Sequence, residues 1–123
     1  MTKLIEFYKG LTKEQQKKIN KLYFGWVIKQ DCAITGVDNK FCGYPHHLRL
    51  SNNAGTSIKP PHIYMIPMKN DIHTDCENMT IPEAEKKWSL IMGEEVDFID
   101  ILTGLHDLFS RLYDLQKIVE GEE

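Results

Sequence analysis

Residues 44–77 read YPHHLRLSNNAGTSIKPPHIYMIPMKNDIHTDCE, and this stretch decides the predicted fold. Two short apolar segments, 44–50 and 63–68, predict strands. The polar loop between them turns at Gly55 and runs into prolines at 60 and 61. Because proline donates no ladder hydrogen bond, the second strand is expected to begin only after Pro61. A short helix, capped by Asn70 or Asp71, is expected to follow and to run to about residue 78.

Histidines are concentrated in this stretch, since four of the five in the chain lie between positions 46 and 73. His73 lies four residues before Glu77 on the predicted helix, so both side chains share one face and can chelate a metal ion. A histidine from the first strand would supply a third ligand and leave positions open for water and a phosphate oxygen. Cys76 is an alternative to Glu77, and His62 taken alone is read as a hydrogen-bonded surface or core group.

The order of these parts resembles a known family, the HNH or ββα-metal endonucleases. Within it, the chain most resembles the phage-type group that includes the Ref recombination-enhancement nuclease and related prophage proteins. The resemblance covers about a quarter of the chain. The residues that carry it are His46-His47-Leu48-Arg49, Gly55, Lys59-Pro60-Pro61-His62, Ile66-Pro67-Met68 and His73.

The resemblance implies a role for each histidine of the site. His46 would bind the metal, and His47 would be the general base that activates water against a phosphodiester. His73 would be a second ligand, and Glu77 stands where the family usually has a further histidine. A carboxylate favours a hard ion, so Mg²⁺ or Mn²⁺ is expected, with Zn²⁺ as the other candidate.

The resemblance also assigns a residue that orients the general base, and here His62 and Tyr64 both stay open. The two were expected to lie on one face of the second strand. Arg49 and Lys59 are expected to bind flanking phosphates of DNA. In a regular strand adjacent side chains point to opposite faces, so the histidine pair requires a strong twist or a bulge to serve one site.

The three cysteines do not form a disulfide framework or a four-cysteine zinc site. Many relatives carry paired cysteines before the histidine pair and on the helix. Here Thr35 stands three residues after Cys32, where the second cysteine of the first pair would be. Lys69 and Ile72 stand where the helix would carry the other pair. We therefore expect no structural zinc, and packing of Phe41, Ile72 and Trp88 in its place.

The flanking segments predict helices around this core. Thr12 and Gln15 form a capping box for a helix to about residue 30, and Thr80 and Glu83 form a second one for a helix ending at Gly93. A last helix, from about 95 to 119, carries a coiled-coil seam that is read as core or as a homodimer interface. The predicted fold is one α+β domain, a mostly helical small domain with a helical segment (1–31), a treble-clef-like ββα-metal core (32–79) and C-terminal helices (80–123).

Charge is divided unevenly along the chain. Residues 1–70 hold eleven Lys/Arg and four Asp/Glu, a net charge of +7, whereas residues 71–123 hold four and fourteen, a net charge of −10. A basic half that contains most of the histidines is compatible with nucleic acid as the partner. No apolar run reaches the ~20 residues of a membrane span, and no signal peptide is visible, so a cytoplasmic protein is expected.

These patterns favour a metal-dependent DNA endonuclease that acts in phage or prophage recombination. The alternative is a catalytically inactive HNH-like DNA-binding or recombination-accessory protein. A third reading is a helical interaction protein in which the histidines are incidental.

Overall fold

The computed structural model describes residues 2–50 and 60–121, and these are mostly helical. The helices are α1 (Lys3–Lys9), α2 (Lys13–Val27), α3 (Asn70–Glu77), α4 (Ile81–Met92), α5 (Phe98–Leu112) and α6 (Leu115–Val119). Two short strands, β1 (His46–His47) and β2 (Met65–Ile66), pair with each other, and 3₁₀ turns occupy Asn39–Phe41 and His62–Tyr64. The α+β class with a helical majority is confirmed, whereas a metal-binding ββα core remains a proposal.

Helix ends that depend on local hydrogen bonds lie where the sequence predicts them. The Thr12 hydroxyl accepts the Gln15 N–H and the Gln15 side chain accepts the Thr12 N–H, which starts α2. The same reciprocal pair, Thr80 with Glu83, starts α4, and Gly93 ends it with φ of 73°. The expected cap of α3 is wrong: its N-cap is Lys69, which makes no side-chain capping bond.

Both strands are much shorter than predicted. The antiparallel register pairs His46 with Ile66 and His47 with Met65. The backbone N–H of Leu48 adds one further hydrogen bond, 3.0 Å long, to the Tyr64 carbonyl. Residues 62–64 form a 3₁₀ turn instead of continuing the strand, so the expected strand over 63–68 is wrong in its first half.

The predicted C-terminal helix is divided in two. Asp97 caps the start of α5, and the helix ends at Tyr113, whose backbone angles are extended. The Asp114 carboxylate then caps α6 by accepting the Lys117 N–H. A continuous seam over 95–119 is therefore wrong, because the break at 113–114 ends the helical register.

The core lies between α2, β2 and α5. Met65 and Ile66 are fully buried, and the Tyr23 hydroxyl of α2 donates to the Met65 carbonyl at 2.8 Å. The Tyr23 ring meets Phe109 of α5 edge-on at 5.2 Å between centroids. Since β2 is covered on both faces while β1 is only half-buried, the sheet presents β1 and its histidines to the outside.

Helix α1 precedes the helix that the Thr12 capping box predicts, within the helical segment expected for 1–31, and a buried histidine connects it to the rest of the fold. Thr2, the N-cap of α1, lies 2.7 Å from Nδ1 of His106, and its hydroxyl oxygen accepts the Ile5 N–H. The other ring nitrogen of His106 contacts the Ile63 carbonyl. A carbonyl only accepts, so Nε2 carries the proton and the Thr2 hydroxyl donates to Nδ1. His106 thereby joins α1, α5 and the turn that precedes β2.

A hydrogen-bonded cysteine anchors the segment that precedes the histidine pair. Cys32 is buried, and its sulfur accepts the Thr35 N–H at 3.4 Å. Burial alone would raise the pKa of Cys32, but hydrogen bonds from Thr35, Lys69 and Ile34 outweigh it, so the pKa is lowered. These contacts connect the 32–42 segment to the start of α3.

The packing expected in place of the zinc is confirmed in part. Ile72 and Trp88 are 1% and 8% exposed, so both belong to the core. Phe41 is 49% exposed, and its assignment to the core is wrong. The 3₁₀ turn that it ends lies on the surface and is anchored by the Asn39 side chain, which donates to the carbonyl of Ile28 at the end of α2.

No helix in the part of the chain that the structure describes is long and apolar enough to cross a membrane.

Candidate active-site cleft

β1 opens onto a cleft of about 870 Å³ beside α3 and the start of α4. Both histidines of the pair line this cleft, together with His73 and Glu77 of α3. The two histidines turn towards different partners, as alternation along a strand requires. They nevertheless reach one cleft because β1 is only two residues long and lies at its edge.

His46 packs against α3. Its ring meets the His73 ring at nearly a right angle, with 5.1 Å between the centroids. Burial, and then the nearby His73, His47 and Arg49, lowers the pKa of His46 to about 4. His46 is therefore neutral near pH 7, which is the form in which imidazole binds a metal.

His73 and Glu77 meet on α3 as their spacing predicts. Nε2 of His73 lies 3.0 Å from Oε1 of Glu77, with the histidine side chain 19% and the carboxylate 60% exposed. Two ligands that are each ~2.1 Å from one ion are separated by ~3.0–3.4 Å. The donor atoms of His73 and Glu77 therefore have both the chemistry and the spacing for a divalent cation, and they hydrogen-bond to each other without one.

Among its described residues, the structure does not bring a third ligand together with His73 and Glu77. Within residues 2–50 and 60–121, no group of three or more histidine, cysteine or carboxylate side chains is arranged to hold a metal ion. The ring of His46, the third predicted ligand, lies beside the His73 ring, with 5.1 Å between the centroids. The set His46, His73 and Glu77 stays a prediction.

Cys76, the alternative to Glu77, also lines the cleft. It is 5% exposed. Burial, and then the neighbouring Asp75, raises the pKa of its thiol to about 11, and Lys87 has a smaller lowering effect. Metals bind the thiolate form. Glu77 is thus the better match to a hard divalent ion at this position.

His47, the second histidine of the pair, contacts His62 of the turn that precedes β2. Nε2 of His47 lies 3.2 Å from Nδ1 of His62, and the ring centroids are 5.4 Å apart. His62 in turn stacks on Phe24 of α2, with 5.0 Å between ring centroids. When the Nε2–H of His47 donates to His62, the other nitrogen, Nδ1, keeps the lone pair that can accept a proton.

Of the two candidates for orienting His47, the structure brings His62 to it. Tyr64 is 6% exposed, and burial, then Tyr8, raises the pKa of its hydroxyl. Its side chain is buried in the core and does not line the cleft. The expectation that both lie on one strand face is wrong because residues 62–64 form a 3₁₀ turn.

The two basic residues expected to bind phosphates have different outcomes. Arg49 is exposed and lines the cleft next to the histidine pair. Lys59, like Gly55, lies outside the residues that the structure describes. The other residues that line the cleft are mostly apolar and include Leu50, Met79 and Ile81.

Two residues that contact the 62–64 turn were not predicted from the sequence as part of the site. Phe24 carries His62, and His106 holds the Ile63 carbonyl beside it. A signal for His106 exists in the sequence: it lies at i+4 from Leu102 and i−3 from Phe109, on the buried stripe of α5. The position of Phe24 depends on a contact across the fold, which local sequence patterns do not show.

In comparisons with models of protein families, with curated proteins and with solved structures, the chain matches none.

Proposed function

We propose that the chain is a metal-dependent DNA endonuclease of the HNH type, acting in phage or prophage recombination. One observation carries the proposal: His46, His47, His73 and Glu77 line one cleft, and His47 is paired there with His62 from the turn before β2. The recombination setting is supported by the sequence resemblance alone.

The residues divide the chemistry between them. Nδ1 of His47 takes a proton from water, whose oxygen forms a bond to phosphorus as the bond from phosphorus to the 3′-oxygen breaks. His62 orients the His47 ring through its contact with Nε2. His46, His73 and Glu77 would hold the divalent ion, which when bound stabilises the negative charge on the phosphate and the leaving oxygen. Arg49 binds a flanking phosphate.

A plasmid-nicking assay tests the proposal. Supercoiled DNA is incubated with Mg²⁺, Mn²⁺ or Zn²⁺ in turn, and the rate of nicking is compared for wild type and His47→Ala. Loss of a general base lowers the rate ~10²–10⁴-fold. Leu112→Ala, an exposed site on α5, is the matched control and should nick at the wild-type rate. If wild type nicks no faster than His47→Ala with every ion, the enzyme proposal fails.

A second function, DNA binding without cleavage, is favoured by a different observation. The ligand set does not converge within the described residues, and Glu77 replaces a histidine of the family pattern. A chain of this kind binds DNA with an affinity that falls steeply as salt rises, and it nicks under no divalent ion. Binding and nicking measured on the same preparation therefore separate the two functions.

A further inference from the structure

Exposed aromatic rings lie just ahead of the histidine pair. Phe41 and Tyr44 are 49% and 48% exposed. They are the two aromatic side chains that the described chain leaves in the exposed class, since all the others are buried or half-buried. Exposing such rings forfeits burial of apolar surface. Two of them within three residues, beside a candidate site, therefore indicate a binding surface.

Both rings are held in place. Tyr44 packs on Phe24, with 5.6 Å between ring centroids, and lies 5.9 Å from His47. Phe41 ends a 3₁₀ turn whose Asn39 side chain donates to the carbonyls of Ile28 and, at 2.9 Å, of Gln30. The Tyr44 ring therefore connects the protein surface to His47, and the backbone before Phe41 is tied to the C-terminus of α2.

Cations flank these rings. The ammonium group of Lys40 lies 5.2 Å from the centre of the Phe41 ring. Arg49 lines the same cleft as Tyr44, and Lys21 is exposed one turn before Phe24 on α2. The exposed aliphatic side chains at 90, 91, 108 and 112 belong to α4 and α5 instead. Aromatic rings interleaved with cations are complementary to bases and phosphates.

We infer that Phe41 and Tyr44, flanked by Lys40 and Arg49, form a stacking platform that binds unpaired bases of a single-stranded nucleic acid. Bases in a duplex are stacked on each other, so their faces are inaccessible to protein rings, whereas every unpaired base offers one. The platform leads towards His47, so the strand it holds would pass the cleft. Binding to the platform needs no reaction, and only the cleavage of that strand rests on the proposed function.

Fluorescence anisotropy with His47→Ala protein in EDTA tests the platform without cleavage. The probes are a labelled 20-nucleotide oligo-dT, an oligo-rU of the same length and a 20-base-pair duplex, all at one salt concentration. We expect the single strands to bind more tightly than the duplex. Removing one stacking ring should weaken single-strand binding by about 5- to 150-fold, with little effect on the duplex.

Variants separate stacking from folding and charge. Phe41→Leu and Tyr44→Leu keep apolar bulk but not the ring, so they should lose single-strand affinity, whereas Tyr44→Trp should keep it. Leu90→Ala, exposed on α4, is the control and should bind as the parent does. A circular dichroism melt of each variant shows that it is folded.

Each outcome decides the inference. Equal or tighter binding of the duplex, or leucine variants that bind single strands as the parent does, would overturn the platform. The oligo-dT and oligo-rU arms identify which strand is preferred. If the wild-type protein prefers single strands but never nicks DNA, the platform is supported and the nuclease is refuted. If it nicks DNA but shows no preference for single strands, the nuclease is supported and the platform is refuted.

Discussion

The buried His106 should make the stability of this fold depend steeply on pH. Burial lowers the pKa of His106 to about 4, against smaller raising effects of the Ile63 carbonyl and of Asp107. In the unfolded chain the pKa of histidine is ~6.5. Between these values the unfolded chain binds a proton that the folded chain does not. The stabilising effect is therefore complete above pH 6.5 and is lost as the pH falls towards 4.

The size of the effect follows from the difference between the two pKa values. Each pKa unit corresponds to ~1.4 kcal/mol, so His106 should account for about 3 kcal/mol of lost unfolding free energy between pH 7 and pH 4. His106 is 1% exposed, so solvent screens little of this difference. For a protein whose total stability is ~5–15 kcal/mol, such a loss is large.

His106→Gln isolates the contribution. The glutamine amide can donate to the Ile63 carbonyl as Nε2 does, but it does not titrate and leaves the Thr2 hydroxyl without its acceptor. The variant should therefore lose about 1 kcal/mol at pH 7. Its disadvantage should shrink and then reverse as the pH falls.

Urea unfolding followed by tryptophan fluorescence at pH 7, 6, 5 and 4 measures this difference. The pKa of His46 is lowered to about 4 as well, but His46 is present in both proteins, so its contribution cancels in the comparison. The expected result is a change of about 3 kcal/mol in the free-energy difference between the two proteins over this range. Parallel pH profiles would refute the reasoning, because they would mean that His106 titrates equally in the folded and unfolded chains.

Three further predictions concern single side chains. Glu77→Gln should raise the Kd for Mn²⁺ at least about tenfold by isothermal titration calorimetry, because it removes the charge from a ligand; an unchanged Kd would exclude Glu77 as a ligand. Thr80→Ala removes one half of the capping box with Glu83 and should cost about 1 kcal/mol in urea unfolding, whereas no loss would mean that the cap is replaced by water. Leu108 and Leu112 are 44% and 57% exposed on α5, so a dimer through this face should be seen by light scattering and should dissociate in Leu112→Glu; a monomeric wild type contradicts the dimer.

Features that depend on neighbours within one helical turn could be predicted from the sequence. The capping boxes at Thr12 and Thr80 and the glycine at 93 are of this kind, since each helix end is specified by a hydrogen bond or a backbone angle three or four residues away at most. The approach of Glu77 to His73 is equally local. The break at Asp114 was overlooked, although a capping aspartate is visible there.

Features that join distant segments were decided by the tertiary structure. The two-residue pairing of β1 with β2 depends on where the 62–64 turn ends, and that turn is held by His106 from another helix. The choice of His62 over Tyr64 as the partner of His47 follows from the same turn, which directs the His62 side chain to His47 and the Tyr64 side chain to the core. The sequence by itself determined the capped helix starts at Thr12 and Thr80, the helix end at Gly93 and the grouping of histidines, because each depends on short separations along the chain. Only the tertiary structure decided which histidines meet, because long-range contacts depend on how the whole core packs.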